Sequence, residues 1–81
     1  MTLVEVYSKR DCRLCDVAKE TLTRIQPRYP FELKLMMIEE GDAKYEEFKE
    51  RVPVIFINKV FAFQYRVPED AFVTKLLESA S

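Results

Sequence analysis

Histidine and tryptophan are absent from this chain, glycine occurs once and cysteine twice. Without histidine the commonest general base and the commonest metal ligand are missing, so any chemistry falls to cysteine, lysine or the carboxylates. One glycine and four prolines, with no repeated or low-complexity stretch, leave no sign of a disordered linker or a repeat array. An excess of charge of one sign is missing as well. The 13 Lys plus Arg stand against 14 Asp plus Glu, a net charge of −1, which removes the broad electrostatic case for nucleic acid. No apolar run reaches the length of a membrane span or of a secretory leader. These absences predict a cytoplasmic protein, a monomer, with neither nucleic acid nor membrane as partner. At 81 residues the chain holds one domain, residues 1–81, and not two.

Two cysteines are too few for a small secreted disulfide scaffold, which needs several closing larger loops. Both lie in Cys12-Arg13-Leu14-Cys15, a spacing that cross-links almost no chain. The pair therefore reads as chemical rather than structural, provided the secondary structure around it is suitable.

Thr2 to Tyr7 is β-branched, aliphatic and aromatic with apolar side chains on both faces, which predicts a central strand. Cys15, Ala18, Leu22 and Ile25 then recur at spacings of three and four, predicting an amphipathic helix from about Cys12 to about Gln26, with Asp11 as its N-cap and Pro27 as its terminator. Phe31 to Ile38 reads as a second strand. Asp42 caps a short helix with an apolar edge of Tyr45 and Phe48. Val52 to Ile57 and Val60 to Tyr65 form a hairpin with Asn58-Lys59 as its turn, a weaker signal than Asn-Gly because lysine disfavours positive φ, so that a loop longer than two residues stays open. Pro68 opens a last helix with an apolar stripe of Phe72, Val73, Leu76 and Leu77, and the final residues are expected to fray. The first crossover obliges the first two strands to be parallel, so the sheet is mixed.

A cysteine at the start of a helix faces unpaired N–H groups and the positive end of the macrodipole, which favour its thiolate. Cys12 is thus the expected nucleophile. Cys15, one turn on and on the apolar stripe, is the expected resolving thiol, within reach for a disulfide. Lys9, Arg10 and Arg13 add positive potential, while Asp11 and Asp16 oppose it. The same two residues can also be inert small apolar side chains. A zinc or cluster reading requires a second chain to complete the ligands, so no metal site is expected.

The strand Val4-Glu5-Val6-Tyr7, the run Ser8 to Cys15, the following Asp16-Val17-Ala18 and the later Val52-Pro53 before a strand together resemble the glutaredoxin-like branch of the thioredoxin-fold superfamily, over nearly the whole chain. The resemblance implies an α/β, thioredoxin-like (glutaredoxin-type) βαβαββα fold, a four-stranded mixed sheet flanked by three helices. It implies a thiol–disulfide oxidoreductase cycling Cys12 and Cys15 on a protein or small-molecule disulfide, renewed by glutathione or a reductase. It further implies a cis bond at Val52-Pro53 opposite the cysteines, with the Val52 backbone pairing to substrate, and a Lys9 that meets a glutathione carboxylate. Read without it, Pro53 is a proline at a strand start and Lys9 a solvated loop lysine.

The chain also departs from that pattern. Where glutathione-using members carry Gly-Gly and an acidic residue after the fourth strand, this sequence has Phe63-Gln64-Tyr65-Arg66. Larger side chains obstruct close backbone approach, although Arg66 offers a carboxylate its own fork. No cofactor is expected to be tightly bound, glutathione is at most a co-substrate, and the usual γ-glutamyl cradle is in question. Leu14 replaces the common aromatic residue between the cysteines. Phe61, Phe63 and Tyr65 alternate along the returning strand and are assigned to core packing. The competing function is a non-catalytic thioredoxin-like binding module that holds a partner at the Pro53 surface.

Overall fold

Val4 and Val6 point to one side of the first strand and Glu5 and Tyr7 to the other, and the fold covers both sides. The computed structural model describes residues 1–80; Ser81, the last of the residues expected to fray, lies outside the described residues. Its elements are β1 (Leu3–Ser8), α1 (Arg13–Ile25), β2 (Glu32–Met37), α2 (Ala43–Phe48), β3 (Val54–Ile57), β4 (Val60–Gln64) and α3 (Glu69–Ala80). The strands form one sheet in the order β2-β1-β3-β4. The β1/β2 pairing is parallel and the β1/β3 and β3/β4 pairings are antiparallel.

On one face Val4, Val6, Ile55 and Ile57 pack against Leu22 and Ile25 of α1 and Phe72 and Leu76 of α3. Phe72 is the keystone of this layer, meeting Phe31 at 5.6 Å and Phe63 at 6.3 Å between ring centroids. On the other face Phe48 of the short α2 meets Tyr7 at 5.0 Å and Phe56 at 6.2 Å. Arg51 lies over both Phe48 and Phe61 and donates to the Gln64 side chain at 2.8 Å, tying the exit of α2 to β4. Phe63 faces the core, whereas Phe61 and Tyr65 are exposed, so the packing expected of all three holds for one. Leu77, expected on the buried stripe of α3, is also exposed. It lies one residue past Leu76, and the core ends on that turn.

The expected helix cap is corrected. Asp11 does not cap α1: it adopts φ 54 and turns the chain, so the capping position passes to Cys12, whose sulfur accepts from the Cys15 N–H. The turn at Asn58-Lys59 stands as read and is not lengthened, since Ile57 pairs directly with Val60. Asn58 and Lys59 both take positive φ, 49 and 70, the geometry of a type I′ turn that suits strand twist. Long-range bonds hold it there. The Asn58 side chain accepts from the Leu3 N–H at 2.9 Å and its own N–H donates to the Leu3 carbonyl at 2.8 Å. The Lys59 ammonium reaches Glu5, a carboxylate 7% exposed on the central strand, at 3.0 Å.

That last contact explains how β1 carries a charge in the middle of a sheet, because a buried carboxylate is tolerated only when it is paired or hydrogen-bonded. Lys59→Met is expected to lower the unfolding free energy by roughly 1–2 kcal/mol in urea titrations, since it strands an acceptor. Adding Glu5→Leu should recover most of that loss.

Candidate functional site

The C-terminal end of β1 runs into Lys9 and Arg10, and the left-handed Asp11 then sets Cys12 at the head of α1. Cys12 is extended, with φ −111 and ψ 103, and its carbonyl accepts the first helical bond from the Asp16 N–H at 3.1 Å. Its sulfur takes the place a serine or aspartate oxygen usually holds at an N-cap, accepting the Cys15 N–H at 3.2 Å. Cys12 and Cys15 are joined in a disulfide with Cα atoms 5.2 Å apart, inside the ordinary span for such a bridge.

The two sulfurs differ in surroundings. Cys15 is 1% exposed and packs with Ile38, Phe48, Val52 and Val54, whereas Cys12 is half-buried at the edge of that cluster. Val52 therefore shares a cluster with the cysteine pair, and the Val52–Pro53 peptide is cis. The Val52 N–H donates to the Phe48 carbonyl at 3.0 Å, leaving its carbonyl as the backbone group that can meet a bound segment. Pro53 accepts the Tyr65 N–H at 2.9 Å, which anchors the turn after β4 beside the site.

Lys9 does not point freely into solvent: its ammonium donates to the Lys49 carbonyl at the exit of α2, at 2.8 Å. It borders a cavity of about 370 Å³ that also holds Arg10, Glu39 and Glu40, where Arg10 and Glu39 pair at 3.4 Å. Charges of both signs there weaken the case for a dedicated carboxylate site. Arg66 lines a different feature, an open groove of about 630 Å³ between α1 and the turn after β4 that includes Arg13, the residue after Cys12. The structure thus brings Cys12, Cys15, Val52 and Pro53 together and separates Lys9 from Arg66.

Residues 3–77 match the Glutaredoxin-like domain (DUF836) family. The chain belongs to that family. Solved structures place it in the same architecture. A Nitrosomonas europaea protein determined by solution NMR aligns with TM-score 0.77 and 24% identity, over 91% of this chain and 89% of the other. A protein from X. campestris aligns with TM-score 0.74 and 22% identity over 96% and 99%. The thioredoxin-2 of the malaria parasite, described as a component of its protein secretion machinery, aligns with TM-score 0.67 and 14% identity over 96% and 82%. At these identities the likeness is one of fold, and this glutaredoxin-like domain has the thioredoxin-like fold.

The groove beside Arg66 contains side chains that the main helical stripe did not include and that the spacing along the helix could have found. Leu14 and Val17 are apolar residues off the main stripe of α1, and with Thr21 they form a second row at spacings of three and four. The buried surroundings of Cys15 give a direct expectation. After reduction, alkylation with iodoacetamide should modify Cys12 first and Cys15 much more slowly, read by mass mapping of a time course. Equal labelling would contradict the burial of Cys15.

Proposed function

We propose that this glutaredoxin-like domain is a thiol–disulfide oxidoreductase in which Cys12 attacks and Cys15 resolves. The observation that supports the reading best is the sulfur of Cys12 at the N-cap of α1, bonded to a Cys15 packed beneath it. In the reduced protein the Cys15 N–H and the helix N-terminus favour the thiolate form of Cys12 over the thiol. No histidine is needed to make the nucleophile.

The Cys12 thiolate attacks one sulfur of a substrate disulfide, forming a Cys12–substrate mixed disulfide and expelling the other sulfur as a thiolate. The Cys15 thiolate then attacks Cys12 Sγ. The Cys12–Cys15 bond forms, the mixed disulfide breaks and the second substrate thiolate leaves. The two protons given up by the cysteines end on the two product thiols through solvent, so two electrons pass from protein to substrate. A dithiol reductase, or two equivalents of a monothiol such as glutathione, restores the pair. In a reducing compartment such as the cytoplasm the net direction is substrate reduction.

Equilibrating the protein across a series of reduced to oxidised glutathione ratios, quenching in acid and reading intact mass tests this reading. Loss of two hydrogens at a defined ratio is expected, which also yields the potential. A persistent glutathione adduct would mean a monothiol cycle, and free thiols throughout would favour the binding module. Cys12→Ser should abolish exchange and Cys15→Ser should accumulate the mixed disulfide; retained turnover in Cys12→Ser would overturn the assignment.

A further inference from the structure

Arg13 follows Cys12 in sequence and lines the same groove as Arg66, and among the described residues neither guanidinium is paired with a carboxylate. No acidic residue lines the groove. The five salt bridges between described residues all lie elsewhere, so the groove wall carries positive charge, with Asp11 and Asp16 on either side of the cysteine pair as the opposing charges outside it. Its walls are apolar. Leu14, Val17 and Tyr65 line it while exposed by 36%, 50% and 44% respectively. A contiguous apolar patch rimmed by charge is the ordinary mark of a protein-binding surface.

Tyr65 sharpens the case. It is held at φ 69, a left-handed conformation that a residue with a Cβ seldom adopts. The bond from its N–H to Pro53 fixes that turn and presents the ring to α1.

We infer that the groove beside Cys12 docks an extended segment of a protein substrate carrying an apolar side chain and a carboxylate next to its reactive cysteine. The inference rests on the exchange chemistry proposed above and names its substrate class. The length fits: Arg13 to Thr21 rises about 12 Å along α1, enough for about four extended residues. The carboxylate lies between Arg13 and Arg66, and the apolar side chain covers Leu14, Val17 and Tyr65. Glutathione offers carboxylates but no apolar side chain, so it satisfies the charge and leaves the walls wet.

The test uses synthetic peptides in which one cysteine is disulfide-linked to 2-mercaptoethanol and flanked by Leu and Glu, by Leu and Lys, or by Gly and Glu. The reduced protein should exchange about three- to tenfold faster with the Leu/Glu peptide than with either other. That preference should shrink as salt rises, and the Leu/Glu over Leu/Lys order should invert in the Arg13→Glu, Arg66→Glu double variant. Equal rates for all three peptides, or an equal rate with oxidised glutathione, would overturn the docking surface. A Ser-for-Cys version of the Leu/Glu peptide, titrated into the oxidised protein by NMR, should shift the amides of Leu14, Val17 and Tyr65. Unmoved amides there overturn the inference whatever the rates. Shifted amides without exchange, even on bis(2-hydroxyethyl) disulfide, uphold the surface and overturn the oxidoreductase reading instead.

Discussion

β1 lies between β2 and β3 and is covered on both faces, by α1 and α3 on one side and by α2 on the other. A strand so placed cannot slide, because a shift of one residue would exchange its Val4 and Val6 face for its Glu5 and Tyr7 face. The parallel pairing with β2 requires a crossover, and α1 is that crossover. The helix start is therefore fixed at the carboxyl end of the most constrained strand in the molecule. Cys12 stands at that start, so the position of its sulfur is inherited from the core rather than from loop contacts.

The chain meets its demand for positive φ almost without glycine. Gly41 is the single glycine, and Asp11, Asn58, Lys59 and Tyr65 also occupy that region. Asp11 and Asn58 are residue types that tolerate it, through short side chains that bond locally. Lys59 and Tyr65 are not, and each is held by a bond from outside its own turn: Lys59 by Glu5 and Tyr65 by Pro53. One of these residues turns the chain into the cysteine helix and another presents a ring across the groove from it. The other two, Asn58 and Lys59, make the β3–β4 turn.

This arrangement explains what could be read from the residues and what could not. The order of strands and helices was legible because β1 is apolar on both faces, α1 carries a stripe at Cys15, Ala18, Leu22 and Ile25, and Pro53 and Pro68 punctuate the later elements. The cysteine pair was legible because its spacing and its place at a helix start are both local properties. Asp11 was misread as a cap because composition favours aspartate there, while the exit angle of β1 decides that it turns the chain instead. How lysine is held at positive φ in the hairpin turn was not legible, because the support for Lys59 comes from Glu5, far away in sequence. The engagement of Lys9 was invisible for the same reason: it bonds to the Lys49 carbonyl at the end of α2, a proximity that only the packed sheet creates.

A net charge near zero conceals how the charges are distributed. Arg10, Arg24, Lys44, Lys49 and Lys59 each have a carboxylate partner, while Arg13 and Arg66, like Lys9, Lys19, Arg28 and Lys34, have none among the described residues; what sets Arg13 and Arg66 apart is that they line one groove. Exposed pairs contribute little to stability, but each one cancels a local field, and where cancellation is missing the potential persists over about 8–10 Å at ordinary salt. That distance spans the groove and the sulfur at its end. On the proposed exchange chemistry, the field that favours a thiolate at Cys12 and the field that would draw a carboxylate toward it share a source, in Arg13 and in the amino end of α1. An acidic segment docked there would offset part of that field. The faster exchange proposed for such a segment therefore has to come from holding its disulfide in place beside Cys12 rather than from added activation of the thiol.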